Sequence, residues 1–141
     1  MCIRDRSYKV HIEKDSSFNT PPVFPIYCIL LNLRLIKQEG IDSISKKNKI
    51  KSELIYSEID RNKCFSGFSE VSDRSQMNAT FNMKEGFDSE LFNKICANNK
   101  ISGINGHRSV GGYRASIYNA LSLDSLNVLV DSMKEFELSQ E

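Results

Sequence analysis

The 141-residue sequence has almost no excess charge of either sign: 19 Lys and Arg stand against 18 Asp and Glu. No global field therefore draws nucleic acid or an anionic membrane to it. Long apolar runs are missing too. The longest, Ile26–Leu31, is far shorter than the ~20 residues that a bilayer-spanning helix needs. No charged start followed by an apolar middle marks a secretory signal. The four cysteines (Cys2, Cys28, Cys64 and Cys96) are scattered without CxxC spacing. The expectation is reduced thiols in the cytoplasm, with neither disulfides nor a zinc site. Repeats and low-complexity segments are absent as well. What is there has ordinary composition, 40% hydrophobic and 26% charged, and is sized for one domain or a small domain with an appendage.

One stretch concentrates chemistry. Gly106-His107-Arg108-Ser109-Val110-Gly111-Gly112-Tyr113-Arg114 sets an imidazole and two guanidiniums around a glycine pair. Arginine suits carboxylate or phosphate, which it grips by two parallel hydrogen bonds. The residues after it, Ala115-Ser116-Ile117-Tyr118-Asn119-Ala120, alternate as a strand does. Arg114 is then on the face opposite Tyr113 and Ala115. The pattern predicts a tight loop presenting His107 and Arg108, a strand fixing Arg114, and a site for a small, doubly anionic ligand.

The remaining elements read in order. Ser7 to Ile12 is expected to be extended, with Tyr8, Val10 and Ile12 alternating against Lys9 and His11. Asn19-Thr20-Pro21-Pro22 reads as a helix start, Thr20 as N-cap and Pro21 as first helical residue. The same start could face an anion through the Asn19 amide and Thr20 hydroxyl. A heavily apolar helix follows from Val23 to Glu39 and stops at Gly40. A second helix is expected from Asp42, as cap, to Arg61. Ile44, Leu54, Ile55 and Ile59 form its buried stripe, and Lys46, Lys47, Lys49 and Lys51 form a solvated face. Cys64–Ser72 reads as turn or short strand, and Met77–Met83 as a strand with apolar odd positions. Asp88 caps a helix to Asn98, with Phe87 and Phe92 as hydrophobic staple. Ile101–Asn105 is expected to be a strand, and Ser122–Leu138 a helix burying Leu126, Leu129, Val130, Met133 and Phe136. The predicted class is α+β: a small antiparallel or mixed sheet with helices on one face.

Three segments resemble phosphoserine aminotransferases, pyridoxal-phosphate enzymes of fold type I: Asn19-Thr20-Pro21-Pro22, Asp73-Arg74-Ser75-Gln76-Met77-Asn78, and Gly106–Arg108 through Arg114–Ala120. The likeness runs from Ser7 to Glu141 and corresponds to the final two-fifths or so of that family's chain. It implies amino-group transfer between glutamate and 3-phosphohydroxypyruvate in serine biosynthesis, with a related role in pyridoxine biosynthesis, by a cytoplasmic homodimer. It implies that Arg114 grips the substrate α-carboxylate and that His107 and Arg108 bind the substrate phosphate. Asn19 and Thr20 would reach the cofactor phosphate of the neighbouring subunit. No catalytic residue is implied in this chain, because the family's Schiff-base lysine falls upstream of Asn19-Thr20; Lys9 and Lys14 do not occupy its place.

The resemblance implies a division. Residues 7–41 would be the C-terminal remnant of the large cofactor domain, with the apolar helix facing a partner not in this chain. Residues 42–141 would be the small C-terminal domain, of marginal stability alone. Met1–Arg6 resembles the translation of a sequencing adapter, and without it the acidic and basic residues balance. The expectation is an inactive fragment of a transaminase. Two other readings use the same residues. One is a stand-alone α+β module binding a small anionic metabolite through His107, Arg108 and Arg114. The other is RNA binding through Gly103-Ile104-Asn105-Gly106, which has the GxxG form of a KH loop but lacks helices around it and a basic balance.

Overall fold

The computed structural model describes residues 6–106 and 109–140. Met1–Asp5, most of the adapter-like start, fall outside the described residues. The chain divides into two compact units, 1–41 and 42–141. Among the described residues no helix is long and apolar enough to cross a membrane.

The first unit holds two helices. α1 spans Tyr8–Glu13, where an extended segment was expected. Residues at i and i+4 share a helix face as readily as alternate residues share a strand face. Here Lys9 reaches Glu13 at 3.9 Å across one turn. Ser16 N–H closes the end onto His11 O at 2.8 Å. α2 spans Val23–Glu39. Its N-cap is Pro22, which offers no side-chain bond, so Thr20 is not the cap. The reason is local: a residue before proline is pushed out of helical geometry, and Pro21 precedes Pro22. Pro25 lies in the first turn, where its missing N–H costs nothing. Gly40, at φ 86°, ends the helix, a conformation that glycine adopts without Cβ strain. None of its residues is buried; Phe24, Ile29 and Leu35 are all exposed.

The second unit is a three-stranded antiparallel sheet with helices on one face. α3 spans Ile41–Arg61, so Asp42 sits in its first turn and does not cap it. β1 (Phe65–Gly67), β2 (Asn78–Met83) and β3 (Tyr113–Ser116) lie in that order. Phe65 pairs with Met83, Phe81 with Tyr113 and Thr80 with Arg114. α4 (Ser89–Asn98) and α5 (Leu123–Leu138) complete it. Asp88 caps α4 by accepting from Glu90 N–H and Leu91 N–H, and Ser122 caps α5 by accepting from Ser125 N–H. Ile55 and Ile59 from α3, Phe92 and Ile95 from α4, and Leu126, Met133 and Phe136 from α5 meet Phe65, Ala79 and Phe81 in one core. Phe65 is central to it, with ring centroids 4.9 Å from Phe92, 5.5 Å from Phe81 and 5.8 Å from Phe136. The staple pair Phe87 and Phe92 both pack on Phe136.

Besides the Asp42 cap, two expectations fail here. Lys51 is not solvated. It is buried, and its ammonium donates to the carbonyls of Ile117 (3.1 Å), Tyr118 (2.7 Å) and Leu121 (3.2 Å). Burial lowers its pKa. Lys46, Lys47 and Lys49 remain exposed. Ile101–Asn105 is not a strand; it contributes one bridge, Asn105 to Tyr113, after a turn at Gly103 with φ 69°. The Gly103–Gly106 stretch lies between α4 and β3, not between two helices.

Two polar locks fasten the ends. Asn62 donates to Glu58 Oε1 (2.8 Å) and Met133 O (3.2 Å), while Glu137 accepts from Lys63 N–H (2.8 Å) and Arg61 (2.7 Å). The backbone N–H of Lys63, with help from Arg61, holds the Glu137 carboxyl below the usual range. In the Asp73–Asn78 segment, Arg74 forms two 2.6 Å bonds to Asp60 and lies 4.6 Å over the Tyr56 ring. Tyr56 donates to Ser75 O and Asn78 O.

Candidate anion site on the outer face of the sheet

Strand alternation divides the sheet into two chemically different faces. Ala79, Phe81, Tyr113 and Ala115 face the helices, whereas Thr80, Asn82, Arg114 and Ser116 face away. Arg114 lies on the face opposite Tyr113 and Ala115, as the alternation indicates, and is exposed. Its own backbone is fixed: its N–H donates to Ile104 O at 2.7 Å, and Thr80 is its partner on β2.

The loop before β3 is closed by glycine. Gly106 N–H donates to Gly112 O at 2.9 Å. A Cβ on Gly106 would collide with Gly111 O. Gly112 sits at φ 66°, and a Cβ there would strike Asn82 Oδ1 and lie 2.9 Å from Phe81 O. Both positions therefore exclude larger residues for steric reasons. Phe68, Thr80, Asn82, Gly106, Val110 and Arg114 line a cleft of ≈ 240 Å³ on this face. No acidic side chain lines it among the described residues. His107 and Arg108, the expected phosphate-binding pair, lie outside the described residues.

The arginines differ in how they are employed. Arg61 contacts Glu58 and Glu137, and Arg74 contacts Asp60. Among the described residues none pairs with the Arg114 guanidinium, so its five donors stay available for a ligand. Asn19 and Thr20, the other expected ligand-binding residues, are exposed in the connection between α1 and α2 and make no side-chain hydrogen bond among the described residues.

Sequence reasoning missed Phe68, Thr80 and Asn82. For Thr80 and Asn82 a signal existed, since they share the polar parity of the Met77–Met83 strand. What the sequence did not reveal was the register that sets Thr80 beside Arg114. Phe68 carried no signal. The three described cysteines are free; Cys64 and Cys96 are buried, and burial pushes the Cys96 thiol up to about 11. Among the described residues no cluster of His, Cys, Asp and Glu could hold a metal.

The chain is similar to known proteins over nearly its whole length. It is 56% identical over 131 residues to the phosphoserine aminotransferase of Flavobacterium psychrophilum, covering 92% of this chain and 37% of that protein. It is 49% identical to that of Bacteroides thetaiotaomicron, covering 93% and 38%. Among solved structures, the phosphoserine aminotransferase of Bacillus circulans subsp. alkalophilus matches with a TM-score of 0.86 and 37% identity, over 95% of this chain and 38% of that one. The pyridoxal-phosphate-bound enzyme of Trichomonas vaginalis matches with a TM-score of 0.81 and 32% identity, over 95% and 39%. The chain thus spans somewhat over a third of the length of these relatives. Its residues 3–129 match the pattern of the class-V aminotransferases, and it belongs to that family.

Proposed function

We propose that this chain is the C-terminal part of a phosphoserine transaminase, which converts 3-phosphohydroxypyruvate and L-glutamate to O-phospho-L-serine and 2-oxoglutarate in serine biosynthesis. The observation that carries the reading is the unpaired Arg114 guanidinium on the outer face of β3, in a cleft free of acidic groups among the described residues. Similarity at up to 56% identity to phosphoserine aminotransferases supports it. In this reading residues 7–41 belong to the large cofactor domain and 42–141 are the small domain. The complete protein is a cytoplasmic homodimer.

Arg114 binds the α-carboxylate through two parallel N–H bonds, and its fixed strand register sets the direction from which the substrate is held. His107 and Arg108 supply the further cations that a phosphorylated substrate requires. The residues at the start of α2 fit a cofactor phosphate by their chemistry: the Asn19 amide and Thr20 hydroxyl are exposed and make no side-chain hydrogen bond among the described residues. They would hold pyridoxal 5′-phosphate by that phosphate from the neighbouring subunit. The cofactor, when bound, acts as the electron sink for cleavage at the substrate α-carbon. This chain contributes grip and orientation, and no catalytic lysine.

Complementation separates this reading from that of a self-contained anion-binding module. A gene of full family length containing this sequence should restore growth of a serine auxotroph lacking the transaminase, whereas the 141-residue chain should not. The purified chain should retain no visible cofactor absorbance after desalting. Failure of the full-length gene, or growth on the short one, contradicts the proposal.

A further inference from the structure

Asn82 stands out once the outer face is searched for polar groups without a task. Its neighbours on that face are employed. The Thr80 hydroxyl meets Ser69 Oγ at 3.4 Å, and Ser116 donates to Asn78 Oδ1 at 3.3 Å. The Asn82 amide is half-buried and has no hydrogen-bond partner among the described residues. Of its two amide atoms Oδ1 is the one nearer Gly112, and Nδ2 is a donor without a partner among the described residues. Asn82 lines the same cleft as Arg114. Arg114 is directly opposite Thr80, so Asn82 is its diagonal neighbour on the same face. That separation is roughly 7–8 Å, within reach of long side chains and of a small ligand held between them.

Resting on the reading of the Arg114 cleft as an anion site, we propose that Asn82 is a second ligand-contacting residue there, its Nδ2–H donating to the anion that Arg114 holds. An amide suits the position because it adds a donor without competing for the guanidinium. An aspartate of the same shape would pair with Arg114 and occupy the cleft from within. The contact with Gly112 gives Asn82 a second effect, since the side chain that meets the ligand also backs the loop between Gly106 and Gly112.

The test titrates the 141-residue chain with O-phospho-L-serine while the side-chain amide signals of Asn82 are followed by NMR. Binding should shift those signals, and Arg114→Ala should abolish the shift. Asn82→Asp, which keeps the shape against Gly112, should weaken binding about 10- to 100-fold, the joint effect of losing a charge-assisted bond and of a carboxylate that competes for Arg114. Because the aspartate also brings a charge that repels the anion, Asn82→Ala, which removes the donor and adds no charge, should weaken binding as well; a merely structural asparagine would leave the affinity of the alanine variant unchanged. Saturable binding with unmoved Asn82 signals overturns the inference and leaves the anion site standing. Equal affinity of the aspartate variant and the wild type does the same. Absence of binding by the wild-type chain overturns both. Should Asn82→Asp fail to fold, the wild-type amide signals decide.

Discussion

Arg74 and Arg114 flank the same strand and are used in opposite ways. Arg74 precedes β2 and is consumed by the protein: two 2.6 Å bonds to Asp60 and a stack on Tyr56. Gly67 is matched to it, since a Cβ there would come within 2.9 Å of its guanidinium. Arg114 crosses from β2 on β3, makes no such bond among the described residues, and faces a cleft. Both lie in segments that carry the family resemblance. The difference teaches that a motif arginine is assigned by its partners: one locks a fold, and the other, unpaired among the described residues, is the one proposed to hold a ligand.

The lysines of α3 sharpen the same contrast within one turn. Replacing Lys51 with methionine leaves three carbonyls, of Ile117, Tyr118 and Leu121, without their donor. The cost should be about 2–4 kcal/mol, read from urea unfolding of the chain. Next in size is Gly112→Ala. It forces a left-handed conformation and a collision with Asn82, and should cost about 1–3 kcal/mol. Adding Asn82→Ala should recover part of the loss but not the backbone strain, which a double-mutant cycle would show.

A smaller effect is expected from Glu137→Gln. The Glu137 carboxyl is held below its usual range in the folded state. A depressed carboxylate contributes stability above its unfolded pKa, and that contribution is lost as pH falls through the folded value. Unfolding experiments from neutral pH down to about pH 3 should therefore show a shallower acid decline for the glutamine variant. Smallest of all is Lys49→Ala. Its 3.8 Å pair with Glu53 is exposed on both sides, and the change should stay within about 0.5 kcal/mol. A cost as large as that of Lys51→Met would break the comparison.

Much of this was legible from local pattern. The cap at Asp88 and the buried stripe of α5 follow from a side chain bonding its own next turn and from helical period. The outward direction of Arg114 follows from strand period. What escaped depends on distant partners or competing local rules. Lys51 looks like its neighbours until carbonyls more than sixty residues away converge on it. Thr20 looked like a cap because the sequence signal for a cap does not include the restriction that Pro22 places on Pro21. The segment Ile101–Asn105 has strand composition, yet Gly103 turns it after the end of α4. Asn82 was visible as a polar strand residue, but its value as a neighbour of Arg114 required the register.

The most direct measurement compares Arg114→Ala and Arg74→Ala in the protein of full family length, reading both stability and the rate of transamination. Arg114→Ala should leave Tm nearly unchanged and lower kcat/KM by about 30- to 1,000-fold, the loss of a paired charge on a carboxylate. Arg74→Ala should lower Tm, with a smaller change in kcat/KM for the molecules still folded. An enzyme that tolerates Arg114→Ala within a few-fold in kcat/KM, or that unfolds when Arg114 is replaced, would contradict the assignment of this guanidinium to the ligand.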